Sequence, residues 1–292
     1  MKNILKLIRP HHWAKNMFIF MPVYFGGALT DMTALRNSVI AFFAYSFAAS
    51  SIYCYNDIVD LDDDRRHPEK SKRPIASGAV SVAMAYYLMA AMVLLSAVMV
   101  ALLGDNCRML ALVVVGYYIL DLFYCRLLKR FAVVDVFVLA FGFVLRILAG
   151  SAATGIVASH WLVMMTFLLT LLLSFAKRRD DVVKMEMTGL APRHNTKRYN
   201  MVFVNQAITI TGAVTVICYI MYTISPEVTG RTNFKYVYLT TILVLLGLMR
   251  YIQLTSVDGK SGDPTKLLYK DRFLQIVIAL WLLAYFIIIY VL

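Results

Sequence analysis

Nine stretches of this chain are apolar for long enough to cross a bilayer. They lie at about 14–30, 35–55, 81–104, 108–126, 133–153, 160–177, 201–224, 235–256 and 273–292. A crossing helix needs about 20 mostly apolar residues, because nothing in the hydrocarbon core satisfies a backbone N–H or C=O except the helix itself. The chain is therefore expected to be all-α, a polytopic membrane protein with about nine transmembrane helices. Composition agrees: 61% of the 292 residues are hydrophobic and 16% charged, which excludes a water-soluble globular enzyme. Gly (14) and Pro (7) are too scarce for a fibrous or disordered chain. Cys54, Cys107, Cys125 and Cys218 form no CxxC pair and sit in or beside apolar runs, so they read as buried small hydrophobes, giving neither disulfides nor a metal site.

The first run is the weakest of the nine. It follows Lys2, Lys6 and Arg9, as a leader peptide would, but Lys15-Asn16 sits directly against the apolar stretch and no A-x-A site follows. It is read as a span. With the N-terminus cytoplasmic, the inner segments hold 24 of the 29 Lys and Arg and the outer ones four, with Arg146 inside a span. That bias is the positive-inside rule. The net charge of +12 then needs no nucleic acid to explain it.

Two inner segments depart from ordinary loops. Between the second and third spans, Asp57, Asp60, Asp62, Asp63 and Asp64 place five of the seventeen acids within eight residues. If the helix runs on past the membrane, Asp57, Asp60 and Asp64 fall at i, i+3 and i+7 on one face. Three carboxylates on one face repel each other unless a cation lies among them. Mg²⁺ suits this arrangement, since it takes one or two carboxylates, keeps waters and completes its shell with phosphate oxygens. The basic residues that follow, from Arg65 and Arg66 through Lys70 to Arg73, can hold the same phosphates. A solvated topogenic loop would explain the basic residues but not the acids. An EF-hand fails, because Arg65 stands where its turn needs Gly.

The second segment, between the sixth and seventh spans, reads Lys177-Arg178-Arg179-Asp180-Asp181 and continues to Arg198-Tyr199. It also follows an even-numbered span, so the two halves are expected to be parallel repeats facing their charged ends into one cavity. Within the spans Arg146 is the costly residue: it is expected either to pair with Asp135 or Asp121 and tie helices together, or to contact substrate directly.

The pattern Asn56-Asp57-x-x-Asp60-x-x-x-Asp64, followed by Arg73-Pro74-Ile75, resembles the first aspartate-rich motif of the UbiA superfamily of intramembrane prenyltransferases. The span count, the N-in orientation and the stretch from Asp135 to Gly150 look like that family as well. The resemblance covers nearly the whole chain. It implies one transmembrane domain over 1–292, a helical bundle around a central cavity open to the cytoplasm and to lipid, and Mg²⁺ holding a diphosphate at the aspartates. Most members carry a second D-x-x-x-D where this chain has Lys177-Arg178-Arg179. With Arg9-Pro10-His-His-Trp13-x-Lys15-Asn16 and His67-Pro68-x-Lys70-x-x-Arg73-Pro74, that departure resembles the polyprenyl-phosphate phosphoribosyltransferase branch (decaprenyl-phosphate type), bacterial plasma-membrane enzymes of cell-envelope synthesis.

That branch moves 5-phosphoribose from phosphoribosyl pyrophosphate to a polyprenyl monophosphate. Three anionic groups must then be held together, and extra cations relieve their repulsion, each charge-assisted hydrogen bond to phosphate being worth about 1.5–3 kcal/mol. The resemblance assigns the metal to Asp57, Asp60 and Asp64, with Asn56 orienting a ligand. Lys15 is expected to hold the lipid phosphate, Lys70 and Arg73 the pyrophosphate or 5-phosphate, and Lys177 with Arg178 or Arg179 the remaining anion, with Arg66 and Asp181 among the substrate-binding residues. The alternative within the superfamily is a prenyltransferase acting on an aromatic or other polar acceptor. A transporter is the alternative outside it, disfavoured because the charges gather at one membrane face and the spans are largely uninterrupted.

Overall fold

The computed structural model describes residues 2–66, 69–230, 236–259, 267 and 270–291. His67 and Pro68 of the first charged loop, and Arg231, Lys235, Lys260 and Lys266 of the basic count, lie outside the described residues. Regular structure among the described residues is helical, with no strand. A short α1 (Lys2–Ile8) leads into a 3₁₀ segment (Pro10–Phe20) and α2 (Met21–Phe25). Then come α3 (Met32–Val59), α4 (Leu61–Arg66), α5 (Val82–Ala101), α6 (Cys107–Arg126), α7 (Val134–Thr154), α8 (His160–Thr188), α9 (Met201–Thr223), α10 (Pro226–Thr229), α11 (Thr241–Ser256) and α12 (Arg272–Tyr290). Among the described residues, eight helical segments are long and apolar enough to cross a membrane, and the polytopic bundle stands.

The ninth expected span, at 14–30, is not a long α-helix. Pro10 opens a 3₁₀ run of 11 residues, and Pro22 has no N–H to offer the carbonyl of Phe18, so an α ladder cannot pass through it. Hydropathy registers the apolar side chains there and misses the missing donor. At a 3₁₀ rise of about 2 Å per residue the segment still covers most of the length of a longer α-helix. The other large difference is α8, which continues 11 residues past its expected end to Thr188 and stops at Gly189, in the left-handed conformation (φ 70°). Lys177 to Asp181 therefore stand on a continuous helix rather than around a helix end.

The long helices start where a short polar side chain precedes an apolar run. Asp31, Ser81, Ser159, Asn200 and Asp271 each accept from a backbone N–H in the first turn of α3, α5, α8, α9 and α12. The chain groups into two compact units, residues 1–129 with 142–158, and residues 130–141 with 159–292.

In the first unit α3 is the central helix. It buries Ala34, Ala41, Ala44, Ala48, Ala49, Ser38, Ser46, Ser50 and Ser51, small residues that let neighbouring backbones approach closely. Its apolar window is 61% buried, whereas those of α5 and α6 are 11% buried and turn Leu94, Leu112 and Val115 outward. Gly150 of α7 packs so closely on the backbone of Ile19 that a Cβ would collide with its carbonyl. In the second unit Leu171, Leu172, Phe175 and Ala176 of α8 pack with Val204 and Ile208 of α9, Leu254 of α11 and Leu274 of α12. All four cysteines are free; Cys54, Cys125 and Cys218 are buried and Cys107 is partly so.

Candidate active site

The aspartate motif sits where α3 ends. α3 runs to Val59, Asp60 leaves helical geometry (φ −88°, ψ 6°), and α4 resumes at Leu61, with Asp64 N–H donating to Asp60 O at 2.8 Å. The carboxylates therefore occupy the negative end of a helix dipole, the end that favours cations. Asp57 and Asp64 are almost wholly buried, at 2% exposure each.

Each carboxylate meets a basic residue. Arg73 Nη1 lies 3.2 Å from Asp57 Oδ1 and 2.6 Å from Asp64 Oδ2, so one guanidinium nitrogen joins the two. Arg9 Nη2 donates to Asp57 Oδ1 at 2.6 Å, and Lys129 pairs with Asp60. Burial pushes the Asp64 carboxyl up, and Arg73 pulls it back only in part. Arg73 is placed by the residues after it. Pro74 keeps its backbone extended (φ −64°, ψ 148°), and Ile75 is buried with Leu7, Cys54, Val80 and Ala85, which anchors the turn against α1, α3 and α5.

One face of α3 organises the N-terminal segment over this motif. Ser46 Oγ accepts from Asn16 Nδ2 at 2.8 Å. Ser50 Oγ donates to Ile8 O at 2.8 Å and accepts from Trp13 Nε1 at 3.0 Å. Asp57 comes seven residues later, two turns on along the same face. Arg9 is held there with its backbone in the left-handed region (φ 50°) and its guanidinium over the Tyr53 ring, 5.1 Å from the centroid.

A divalent cation fits Asp57 and Asp64. The two carboxylates already share one cationic nitrogen, and Asp57 Oδ2 is buried with no hydrogen-bond partner. Asp60 does not share that nitrogen, and among the described residues no group of three His, Cys, Asp or Glu is gathered closely enough to hold a metal. The motif thus brings two of its three aspartates together. Asn56 is half-buried on α3, Arg66 exposed on α4, Lys70 half-buried on its 3₁₀ turn, and Lys15 half-buried on the N-terminal segment. Arg9 and Lys129 were not among the candidates. Arg9 is 48 residues from its partner and Lys129 is 69 from its own, so spacing carried no signal for either.

The second unit holds another polar cluster. The wholly buried Arg178 donates through Nη1 to Asp181 Oδ2 at 2.7 Å and lies 3.6 Å from Asp135 Oδ2 through Nε. Arg178 Nε and Nη2 have no hydrogen-bond partner. Arg193 Nε reaches Asp181 at 3.1 Å, and Tyr199 donates its hydroxyl to Asp135 Oδ1 at 2.8 Å while accepting from Val133 N–H at 2.6 Å. Burial pushes the Tyr199 phenol up, which keeps the hydroxyl a donor.

Arg179 takes a different post from Arg178. Its guanidinium donates to the carbonyls of Thr255 (2.6 Å) and Ser256 (3.2 Å), capping α11, and to Asn205 Oδ1 (3.2 Å). Those bonds engage Nε, Nη1 and Nη2 of the guanidinium, so all three of its nitrogens are committed to protein acceptors. Lys177 is half-buried on the same helix.

Arg146 pairs with neither expected acid. Its Nε donates to Asn16 Oδ1 at 2.8 Å and Nη1 to Gly142 O at 2.7 Å. The guanidinium lies 4.9 Å from the Tyr45 ring centroid, 5.0 Å from that of Phe143 and 5.5 Å from that of Tyr117. Three aromatic faces meet the charge directly, and Asp121 acts on it electrostatically without a direct ion pair. Asp135 belongs instead to Arg178 and Tyr199.

Residues 19–277 match the model of the UbiA prenyltransferase family. The decaprenyl-phosphate phosphoribosyltransferase of Mycobacterium tuberculosis is 31% identical over 285 residues, which covers 96% of this chain and 92% of that one. The protein of the same name from Mycolicibacterium smegmatis is 30% identical over 291 residues, covering 96% and 90%. A UbiA homologue from Archaeoglobus fulgidus, solved bound to DMAPP and Mg²⁺, superposes with a TM-score of 0.71 over 99% of this chain and 100% of that one, at 22% identity.

Proposed function

The chain belongs to the UbiA prenyltransferase family and is an integral membrane transferase, and from that premise we propose that it is a polyprenyl-phosphate phosphoribosyltransferase. In this reading 5-phosphoribose moves from phosphoribosyl pyrophosphate to a polyprenyl monophosphate. Residues 1–292 act as one domain in a bacterial plasma membrane, with the N-terminus and the aspartate motif facing the cytoplasm. The observation that carries the reading is the second charged segment. Where a prenyl diphosphate enzyme needs a second carboxylate pair, this chain has Lys177-Arg178-Arg179, with Arg178 buried and two of its nitrogens without a hydrogen-bond partner. The named mycobacterial relatives, aligned over nearly the whole length, support the same choice.

Asp57 and Asp64, with Asp60 and Asn56 beside them, are the residues for Mg²⁺. A Mg²⁺ ion held there would supply positive charge opposite the pyrophosphate leaving group. The bond from ribose C1 to the pyrophosphate oxygen breaks, and the leaving group keeps the electron pair. A lipid phosphate oxygen forms the new bond to C1 from the opposite face. That oxygen is ionised at neutral pH, so no general base is needed. What the chain supplies is positioning and charge. Arg73, with Arg66 and Lys70, serves the pyrophosphate or the 5-phosphate, Lys15 serves the lipid phosphate, and Lys177 with Arg178 serves the remaining anion.

The test uses purified protein in detergent with Mg²⁺, a polyprenyl monophosphate and phosphoribosyl pyrophosphate. Mass spectrometry should find a lipid heavier by one phosphoribosyl group, and EDTA should abolish it. Consumption of a prenyl diphosphate with an aromatic acceptor, and no phosphoribosyl lipid, would replace this reading with a prenyltransferase.

A further inference from the structure

The aspartate motif is electrically balanced by the chain's own side chains. Asp57, Asp60 and Asp64 carry three negative charges, and Arg9, Arg73 and Lys129 bring three positive ones into contact with them. A bare dication entering this set meets carboxylates that are already neutralised, and it must turn cations out with nothing to receive them. A dication that arrives bound to a diphosphate brings the acceptors those cations need. The exchange then trades carboxylate–guanidinium bonds for phosphate–guanidinium bonds of similar strength while the metal takes the carboxylates.

Resting on the phosphoribosyl pyrophosphate reading above, we propose that Arg9 is a donor-binding residue. It holds Asp57 until the metal–diphosphate complex arrives and then passes to the diphosphate oxygens, so that metal and donor bind together. Three features of Arg9 fit that part. Its side chain is 18% exposed while that of Asp57 is 1% exposed, so the cation can be reached where the carboxylate cannot. It approaches Asp57 Oδ1 and leaves Oδ2 buried and unpaired. Its backbone is left-handed at the joint between α1 and the 3₁₀ segment, pinned from Ser50, so the side chain pivots about a fixed point. Lys129 stands in the same relation to Asp60, each side chain being 24% exposed.

The experiment is calorimetric titration of the detergent-purified protein with Mg²⁺ alone and with equimolar Mg²⁺ and pyrophosphate. Wild type should bind the complex at least about tenfold more tightly than the bare ion. Arg9→Gln should move the two affinities in opposite directions, tightening Mg²⁺ alone and weakening the complex, each by about tenfold. Arg9→Lys keeps the charge and should leave bare Mg²⁺ affinity near wild type. Lys129→Gln should repeat the opposite movement more weakly, and it supplies the same test if Arg9→Gln does not fold. Loss of both affinities in Arg9→Gln, or no change in either, overturns the proposal. Binding with these signs but no phosphoribosyl lipid would leave the exchange standing and remove the substrate reading. Phosphoribosyl transfer with no Mg²⁺ binding in any form would do the reverse.

Discussion

Asn16 Oδ1 accepts a 2.8 Å hydrogen bond from Arg146 Nε across 130 residues of sequence. Both groups are buried, and Asn16 also donates to Ser46, so one amide ties the N-terminal 3₁₀ segment to α7 and α3. The same segment carries Arg9 over Asp57. The bond thus lies far along the chain from the aspartates yet helps anchor the segment that adjoins Arg9.

Removing that amide leaves a buried guanidinium short of an acceptor. Asn16→Ala should lower the unfolding free energy in detergent by about 2 kcal/mol, the scale of a hydrogen bond to a charged group. Arg146→Ala should cost more, about 3–5 kcal/mol, since it also empties the space between three rings. Arg146→Lys should recover less than half of that loss, because an ammonium has no planar fork to serve Asn16 and Gly142 together. Unchanged denaturation midpoints in all three would show that the contact contributes nothing.

The three motif aspartates should not be equivalent. Asp57→Asn and Asp64→Asn each break the pair that shares Arg73, and turnover should fall by about a hundredfold or more with the folded protein retained. Asp60→Asn acts on a carboxylate directed to Lys129, and its loss should be nearer tenfold. Mass spectrometry of the lipid product, with circular dichroism as the folding check, gives the ranking. Retained turnover in Asp57→Asn would remove the metal role altogether.

Arg178 and Arg179 are adjacent in sequence and should separate in effect. Arg179→Ala strips the cap from α11 and should lower stability by about 1–2 kcal/mol while KM for the donor and for the lipid stays near wild type. Arg178→Gln leaves Asp135 and Asp181 facing each other with less positive charge between them, and in the proposed reaction it should also raise the KM of one substrate by tenfold or more. Steady-state kinetics beside thermal unfolding distinguishes the two. A KM effect of Arg179→Ala larger than that of Arg178→Gln would reverse the assignment.

What could be read in the chain alone was what depends on local period and charge. The i, i+3, i+7 spacing brought Asp57 and Asp64 forward, and Arg73-Pro74-Ile75 marked the turn that supplies their shared cation. Hydropathy found eight crossing helices to within a few residues at most ends. Pro22 escaped it, since a hydropathy window does not register a missing N–H. The extension of α8 escaped it too, because a helix can leave the membrane without ending, and the run from Lys177 to Asp181 records only the leaving. Arg9, Lys129 and the Asn16–Arg146 bond join residues 48 to 130 apart, distances at which spacing says nothing. The direct contacts of Arg146 were missed for a further reason: three aromatic faces stand where an ion pair was expected, and aromatic residues abound throughout this chain.

Val133 holds φ at 70°, where a β-branched residue is strained, and its N–H donates to Tyr199, whose hydroxyl donates in turn to Asp135. The residue is 37% exposed, so little packing depends on its side chain. Val133→Gly should therefore stabilise the protein by about 1 kcal/mol, the relief of strain exceeding the entropy that glycine adds to the unfolded chain. Tyr199→Phe should do the opposite. It leaves the Val133 N–H without its acceptor and Asp135 Oδ1 without its donor, beside an Arg178 that is already under-bonded, and a loss of about 2–3 kcal/mol follows. Combining the two separates strain from hydrogen bonding. If the tyrosine hydroxyl is what holds Val133 in the left-handed region, Val133→Gly should stabilise the Tyr199→Phe protein less than it stabilises wild type, because the freed valine has already relaxed. Equal gains in both backgrounds, measured by denaturant unfolding in detergent, would show that the start of α7 keeps its conformation without help from Tyr199.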